Sequence, residues 1–190
     1  MSPNPSTESE KLDLRPFLAA GFAIKGLRSF ASPDGGGYNA TLTHNGVVVA
    51  DLHDGGYGGE VEVQYKGLAW NGEPHLNPTA TPAQAKKDRA QASVSKAAKD
   101  ALDALIAATP PVAAWGKTLP VTLWWVVGEL VTHAEIVKIC AKKTLFRPAG
   151  RSADLVINVP FDASIKAHIL GKYPGARIYN EEVAGALPQP

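Results

Sequence analysis

The stretch YNATLTHNGVVVADLHDGGYGGEVEVQY, residues 38–65, decides how this chain folds. Asn45-Gly46 stands at its centre between two β-rich runs. Both residues tolerate positive φ, as the two central positions of a type I′ turn require. The pattern predicts a hairpin in which the strand Tyr38–His44 returns as Val47–His53. A two-residue loop sets the register, with His44 opposite Val47, Leu42 opposite Val49, Ala40 opposite Asp51 and Tyr38 opposite His53. After the glycine loop Gly55–Gly59, the alternation of Glu60-Val61-Glu62-Val63-Gln64-Tyr65 marks a half-solvated strand.

Working outward, Phe22–Phe30 reads as a strand that enters the hairpin through Asp34-Gly35-Gly36-Gly37. An antiparallel sheet of three or four strands therefore occupies the N-terminal third. A loop with Trp70, His75 and Pro78 follows. Thr81-Pro82-Ala83-Gln84 then carries the residues of a helix start: Thr as N-cap, Pro at the first helical position and Gln at the third. That helix is expected to run to about Ala108, before Pro110-Pro111. Its apolar stripe is thin, with Val94, Leu102, Leu105 and Ile106 as the larger members. A second helix is expected from near Pro120 to about Lys143, with Thr132-x-x-Glu135 as an internal capping box that would split it. Adjacent helical residues point about 100° apart, so either two faces of this helix are covered and Trp124 and Trp125 are both buried, the favoured arrangement, or one of them is exposed as an interface anchor. Thr144–Arg147 and Leu155–Val159 read as a hairpin, Ala163–Lys172 as a short helix and Arg177–Asn180 as a last strand. The class is α+β, with a single domain over 13–182, a disordered tail at 1–12 and a flexible tail at 183–190.

Composition narrows the function classes. Among 190 residues there is one cysteine, so no internal disulfide forms. The polar start MSPNPSTESEK lacks the basic and apolar regions of a signal peptide. The apolar run Leu119–Val127 is far shorter than the roughly 20 residues a membrane span needs. A cytoplasmic protein without membrane association is expected. Formal net charge is +1. It is uneven, net −4 over residues 1–75 and net +5 over 76–190.

Two segments hold candidate sites. His53, Asp54, Gly55, Gly56, Gly58 and Gly59 form a possible ligand loop, because successive glycine amides can cradle an anion. Phosphate loops of that kind open a helix, however. This one opens a strand bearing Glu60 and Glu62, and Asp51 and Asp54 precede it, so a turn is the expected role. His53 beside two aspartates and opposite Tyr38 is the best acid–base constellation, and a packed cross-strand pair is its structural alternative. Gly116-Lys117-Thr118 has Pro111 where a phosphate loop needs glycine. The histidines lack metal-ligand spacing, and no metal or cofactor is expected. The second segment, Lys138, Lys142, Lys143, Phe146, Arg147 and Arg151, contains five cations and no acid over residues 138–151. It suits a nucleic-acid backbone or an acidic partner, although a helix C-terminus attracts cations for structural reasons too.

The segments GGGYNATLTHNGVVVADLHDGGYGGEVEV and KKTLFRPAG…YPGARIYNEE resemble small proteins encoded by phages, plasmids and other mobile elements of bacteria. The shared layout is an Asx-Gly hairpin, a Gly-x-Gly-Gly loop, a helical middle, a Lys-Lys-Thr-x-Phe-Arg segment and a closing Tyr-Pro…Asn. The resemblance implies a genetic setting and transfers no catalytic residue. Together these readings point to a non-catalytic binding protein of a mobile element or its host, with nucleic acid as first partner. A protein of a bacterial defence system is the second, and a nucleotide binder or enzyme using Asp51–Gly59 is the competing class.

Overall fold

The computed structural model describes residues 12–75, 77–114 and 116–186. The chain is α+β and divides into two compact units, one ending at Val131 and one beginning at Thr132. Each is described by itself. Of the N-terminal tail expected at 1–12, residues 1–11 lie outside the described ones, and Leu12 is buried in the core of the first unit.

The first unit opens with a short helix, α1 (Arg15–Ala19), which drives Phe17 into the core. Four strands follow in sequence order as one antiparallel sheet: β1 (Phe22–Ser32), β2 (Gly35–His44), β3 (Val47–Asp54) and β4 (Glu62–Tyr65). The turn at its centre has Asn45 at φ +50° and Gly46 at φ +79°, the two positive values of a type I′ turn. A side chain at Gly46 would meet open space, so the cost of replacing it is backbone strain alone. Gly46→Val should therefore lower stability by about 2 kcal/mol, since left-handed backbone costs an L-residue about 1–2 kcal/mol and β-branching adds to it. A melting temperature unchanged within about a degree would refute this account of the turn.

The register starts as expected, His44 opposite Val47, and then slips by one residue. Leu42 faces Ala50, Ala40 faces Leu52 and Tyr38 faces Asp54. The expected pairs Leu42–Val49, Ala40–Asp51 and Tyr38–His53 are corrected accordingly. The cause is a bulge between Leu42 and Thr43, where Val49 is the extra residue. Strict alternation from Val49 would aim Asp51 and His53 at the core. The bulge instead buries Val49, Ala50 and Leu52 and leaves Asp51 and His53 on the outer face. A second bulge, in β1 between Lys25 and Arg28, contains Gly26 at φ +64°. After it Leu27 packs against the core while Arg28 and Phe30 are exposed.

Helix α2 (Pro82–Ala108) starts at the expected cap: Thr81 Oγ1 accepts the Gln84 N–H at 3.3 Å. The Gln84 side chain donates to Asp88 rather than closing the box. Its buried stripe is Ala92, Ser95, Ala98 and Leu102, while Val94 is exposed. Small residues let the helix approach closely, and a methyl at Gly67 would lie 3.1 Å from the Ala92 nitrogen. A two-stranded hairpin not anticipated from the sequence follows, β5 (Val112–Ala114) with β6 (Lys117–Leu119). Helix α3 (Leu123–Cys140) is continuous through Thr132–Glu135, and the division between the units falls within it. Val126, Val127, Leu130 and Val131 join the first core with Phe22, Leu42, Leu52 and Leu102. Trp124 remains 40% exposed, which corrects the favoured arrangement with both tryptophans buried and matches the alternative in which one is exposed.

The second unit contains β7 (Thr144–Arg147), β8 (Leu155–Ile157), α4 (Ala163–Lys172), β9 (Arg177–Ile178) and α5 (Tyr179–Ala186). β7 is the centre of a three-stranded antiparallel sheet in the order β8-β7-β9. Phe146, Ile169 and Ile178 form its core. The expected strand over 177–180 ends at Ile178, because from Tyr179 the chain turns into α5, whose first turn carries Glu181 and Glu182. Of the tail expected at 183–190, residues 183–186 belong to this helix, and 187–190 lie outside the described residues.

Candidate functional site

The basic segment is split by its own strand. Lys138 lies in the last turn of α3, and Lys142 and Lys143 in the turn that follows. Arg151 lies beyond the other end of β7, in the loop to β8. Four strand residues span roughly 10 Å between their end positions, so the three lysines and Arg151 are two groups and not one patch. Phe146, expected to interleave with the cations at the surface, is a core residue with its ring 5.5 Å from that of Tyr173. Burial of β7 explains this. Phe146 packs with Ile169 and Ile178, Thr144 Oγ1 donates to the Val159 carbonyl, and Leu145 between them is buried as well, so no apolar side chain of the strand is left outside.

Arg147 belongs to an ionic network. Its guanidinium donates to Asp154 through Nε at 2.7 Å and Nη2 at 3.2 Å. Tyr179 Oη donates to the same carboxylate at 2.9 Å. Arg177, opposite Arg147 across the β7–β9 pair, makes a two-point pair with Glu182 at 2.5 and 2.6 Å. The two guanidiniums lie 5.9 and 4.7 Å from the centroid of the Tyr179 ring. Two like charges face each other across adjacent strands, and two carboxylates and one aromatic face compensate them. Partial burial pushes the Asp154 carboxyl up. The hydrogen bonds from Arg147 and Tyr179, with the nearby positive charges, outweigh that and hold it below the ordinary aspartate range. A carboxylate depressed in the folded state contributes stability at neutral pH and loses it as pH falls through its folded value.

The remaining cations are different. Lys138, Lys142, Lys143 and Arg151 are exposed, and none takes part in an ion pair among the described residues. In the same unit Lys166 is paired with Glu181 at 2.5 Å, and Lys172 lies over the Tyr173 ring at 5.6 Å. The lysine turn itself is held rigidly. Asn180, buried, donates from Nδ2 to the carbonyls of Cys140 and Lys143 at 3.2 and 2.9 Å, and its Oδ1 accepts the Leu145 N–H at 2.9 Å. One side chain thus closes the C-terminus of α3 and aligns the start of β7. Burial, with Glu182 nearby, pushes the Cys140 thiol up, away from the reactive thiolate form.

In the glycine loop, the Gly56 backbone is tied to neighbouring side chains. The Gly56 N–H is donated to Asp54 Oδ1 at 2.7 Å, and Ser32 Oγ reaches the carbonyls of Gly56 and Gly35 at 2.9 and 3.1 Å. Gly56 and Gly58 have φ of +74° and +73°. Gly59 lies in open space before β4. His53 stands on the outer face opposite Asn39, with Nδ1 hydrogen-bonded to Asn39 Oδ1 at 2.8 Å. The expected grouping of His53 with Asp51, Asp54 and Tyr38 is not formed. The bulge moves Tyr38 opposite Asp54, and Asp51 pairs with Lys66. Among the described residues, no group of three or more His, Cys, Asp or Glu side chains is arranged to hold a metal ion. No helix among them is long and apolar enough to cross a membrane.

Two surface features were not singled out as site candidates from the sequence. Trp70 is fully exposed on a tight loop in which Ala69 and Glu73 are hydrogen-bonded at 2.8 Å and Asn71 Oδ1 accepts the Glu73 N–H. Phe30 and Tyr57, 37% and 69% exposed, flank His53 on the outer face of the sheet. Adjacent glycines at 36–37 and 55–56 were the available signal, since a missing side chain on a sheet face leaves room for a neighbouring ring. No protein-family model, curated protein or solved structure matches this chain.

Proposed function

We propose that this chain is a non-catalytic, cytoplasmic nucleic-acid-binding protein of a bacterial mobile element or its host. The observation that carries this reading is the contrast in charge partnering within the second unit. Cations that hold the fold together are neutralised or stacked on rings, whereas Lys138, Lys142, Lys143 and Arg151 reach solvent outside any ion pair among the described residues. Unneutralised cations, three of them at the end of α3 and in the turn after it, are what a phosphate backbone engages, and the release of condensed counterions supplies the affinity. Arg147 and Phe146 have structural roles and leave the proposed interface. The mobile-element setting is supported by the resemblance of the hairpin and the Lys-Lys-Thr-x-Phe-Arg segment alone.

The test is a titration of labelled single- and double-stranded oligonucleotides at two salt concentrations, followed by fluorescence anisotropy. The variant carrying Lys138→Ala, Lys142→Ala and Lys143→Ala should flatten the log–log salt slope by about 2–3, because each lost phosphate contact removes about 0.7–0.9. The loss should be similar for all sequences, since backbone contacts hold no base information. No binding by wild type at low salt sinks the reading. A protein target then takes its place, with Trp70, exposed on its rigid loop, as the anchor to mutate.

A further inference from the structure

The outer face of the N-terminal sheet is built as an aromatic platform, and glycines make it flat. Phe30 pairs with Gly37 across β1 and β2. Its ring lies on that glycine: a methyl at Gly37 would come within 2.5 Å of Phe30 Cε2 and 2.6 Å of Cζ. On the other side of His53, the Tyr57 ring lies on Gly55 in the same manner, 2.8 and 2.9 Å from where a methyl would stand. The Phe30 and His53 rings are stacked, with centroids 6.3 Å apart and planes 22° from parallel. Asn39 fixes the imidazole in that orientation. Phe30, His53 and Tyr57 therefore lie on one outward side of the sheet, with Phe30 37% and Tyr57 69% exposed. The other face of the same sheet holds the core residues Leu42, Val49 and Leu52.

Charge is graded across this face. Lys25 and Arg28 stand on β1 at one edge, and neither joins an ion pair among the described residues. Glu60 and Glu62 stand at the β4 edge, Glu62 directly opposite His53. Asp51 between them is compensated by Lys66. A ligand with its negative charge along one side and neutral, amine-bearing rings on the other matches this gradient in one orientation.

We infer that the sheet binds a single-stranded nucleic acid, with phosphates along β1 and bases stacked on Phe30, His53 and Tyr57. The inference rests on the nucleic-acid reading above and adds strandedness and the base-contacting residues. Every base has a π-face, so stacking on aromatic side chains serves any sequence, and it requires bases released from a duplex. Glu62 is placed to accept from exocyclic amino groups, as carboxylates do from cytosine N4.

The experiment compares wild type, Phe30→Ala, Tyr57→Ala and Tyr57→Trp in anisotropy titrations against a labelled oligo(dC) and a duplex of equal length. Each alanine variant should bind the single strand roughly ten-fold more weakly, the lower part of the range measured for loss of one stacked base. The salt slope should be unchanged, because stacking releases no counterions. Tyr57→Trp should bind at least as well as wild type. Both positions are exposed, and Tyr57 lies in a loop, so melting temperatures confirm that folding is intact. If both alanine variants bind the single strand like wild type while the lysine variant still flattens the slope, the platform is refuted and backbone binding stands. If the alanine variants weaken single strand and duplex equally, stacking is refuted as well. If wild type binds neither probe, both readings fall.

Discussion

Asn180→Ala is expected to lower stability by about 3 kcal/mol, roughly 10 °C in melting temperature for a chain of this size. The side chain is 7% exposed and makes three hydrogen bonds to backbone groups. Alanine leaves the Leu145 N–H and two carbonyls at the end of α3 without these partners. A buried donor or acceptor stripped of its partner costs about 1–3 kcal/mol, and partial relaxation or entering water keeps the sum below three full penalties. Asn180→Asp is the informative control. It keeps an acceptor for Leu145 but sets a carboxylate against carbonyls at the negative end of a helix, so it should also destabilise at neutral pH. Urea unfolding measures both. A midpoint for Asn180→Ala within experimental error of wild type would show that the clamp holds nothing. The same variant should weaken nucleic-acid binding beyond its effect on folding, since Asn180 fixes the carbonyl of Lys143 and thereby the lysine turn.

Gly56→Ala is the second large effect, expected to cost about 2–5 kcal/mol. The residue is buried at φ +74°, and a methyl there would meet Ser32 Oγ at 2.6 Å, the Gly37 nitrogen at 2.8 Å and the Gly36 carbonyl carbon at 2.9 Å. Two of these three are backbone atoms of β2, which cannot turn aside as a side chain can. Left-handed strain adds about 1–2 kcal/mol, and overpacking of a tight site typically costs about 1–3 kcal/mol more. Gly58→Ala isolates the first contribution. Its φ is +73°, but nothing lies within 4 Å of the added methyl. Thermal melts should therefore rank wild type above Gly58→Ala, and Gly58→Ala well above Gly56→Ala. Equal melting temperatures for the two variants would show that the loop moves freely off β2.

Both variants bear on how the two proposed contacts are organised. Each depends on backbone that a few side chains hold in place: the lysine turn on Asn180, the ring platform on the loop that Ser32 and Asp54 tie to the sheet. On the proposed reading the salt slope reports the cations, the lysine turn together with Lys25 and Arg28 on β1, and the salt-independent part of affinity reports the rings, so variants of each kind separate the contributions in one set of titrations.

Local chemistry in the sequence was enough to determine the class and most of the elements. Asn45-Gly46 specified its turn because only residues that tolerate positive φ fit a type I′ pair. Thr81-Pro82 and Pro110-Pro111 bounded α2 for equally local reasons. Tertiary structure decided what depended on burial across elements. Alternation from the turn would have buried Asp51 and His53, so a bulge at Val49 was the cheaper solution, and with it went the expected histidine–aspartate grouping. Phe146 read as part of a charged surface because its neighbours in sequence are cations, yet Ile169 and Ile178, distant in sequence, pack with it, and it became core. The platform was invisible for the converse reason. Phe30, His53 and Tyr57 are spread over residues 30–57, and only pairing of β1 with β2 and β2 with β3, over glycines that leave space, brings their rings to one side of the sheet.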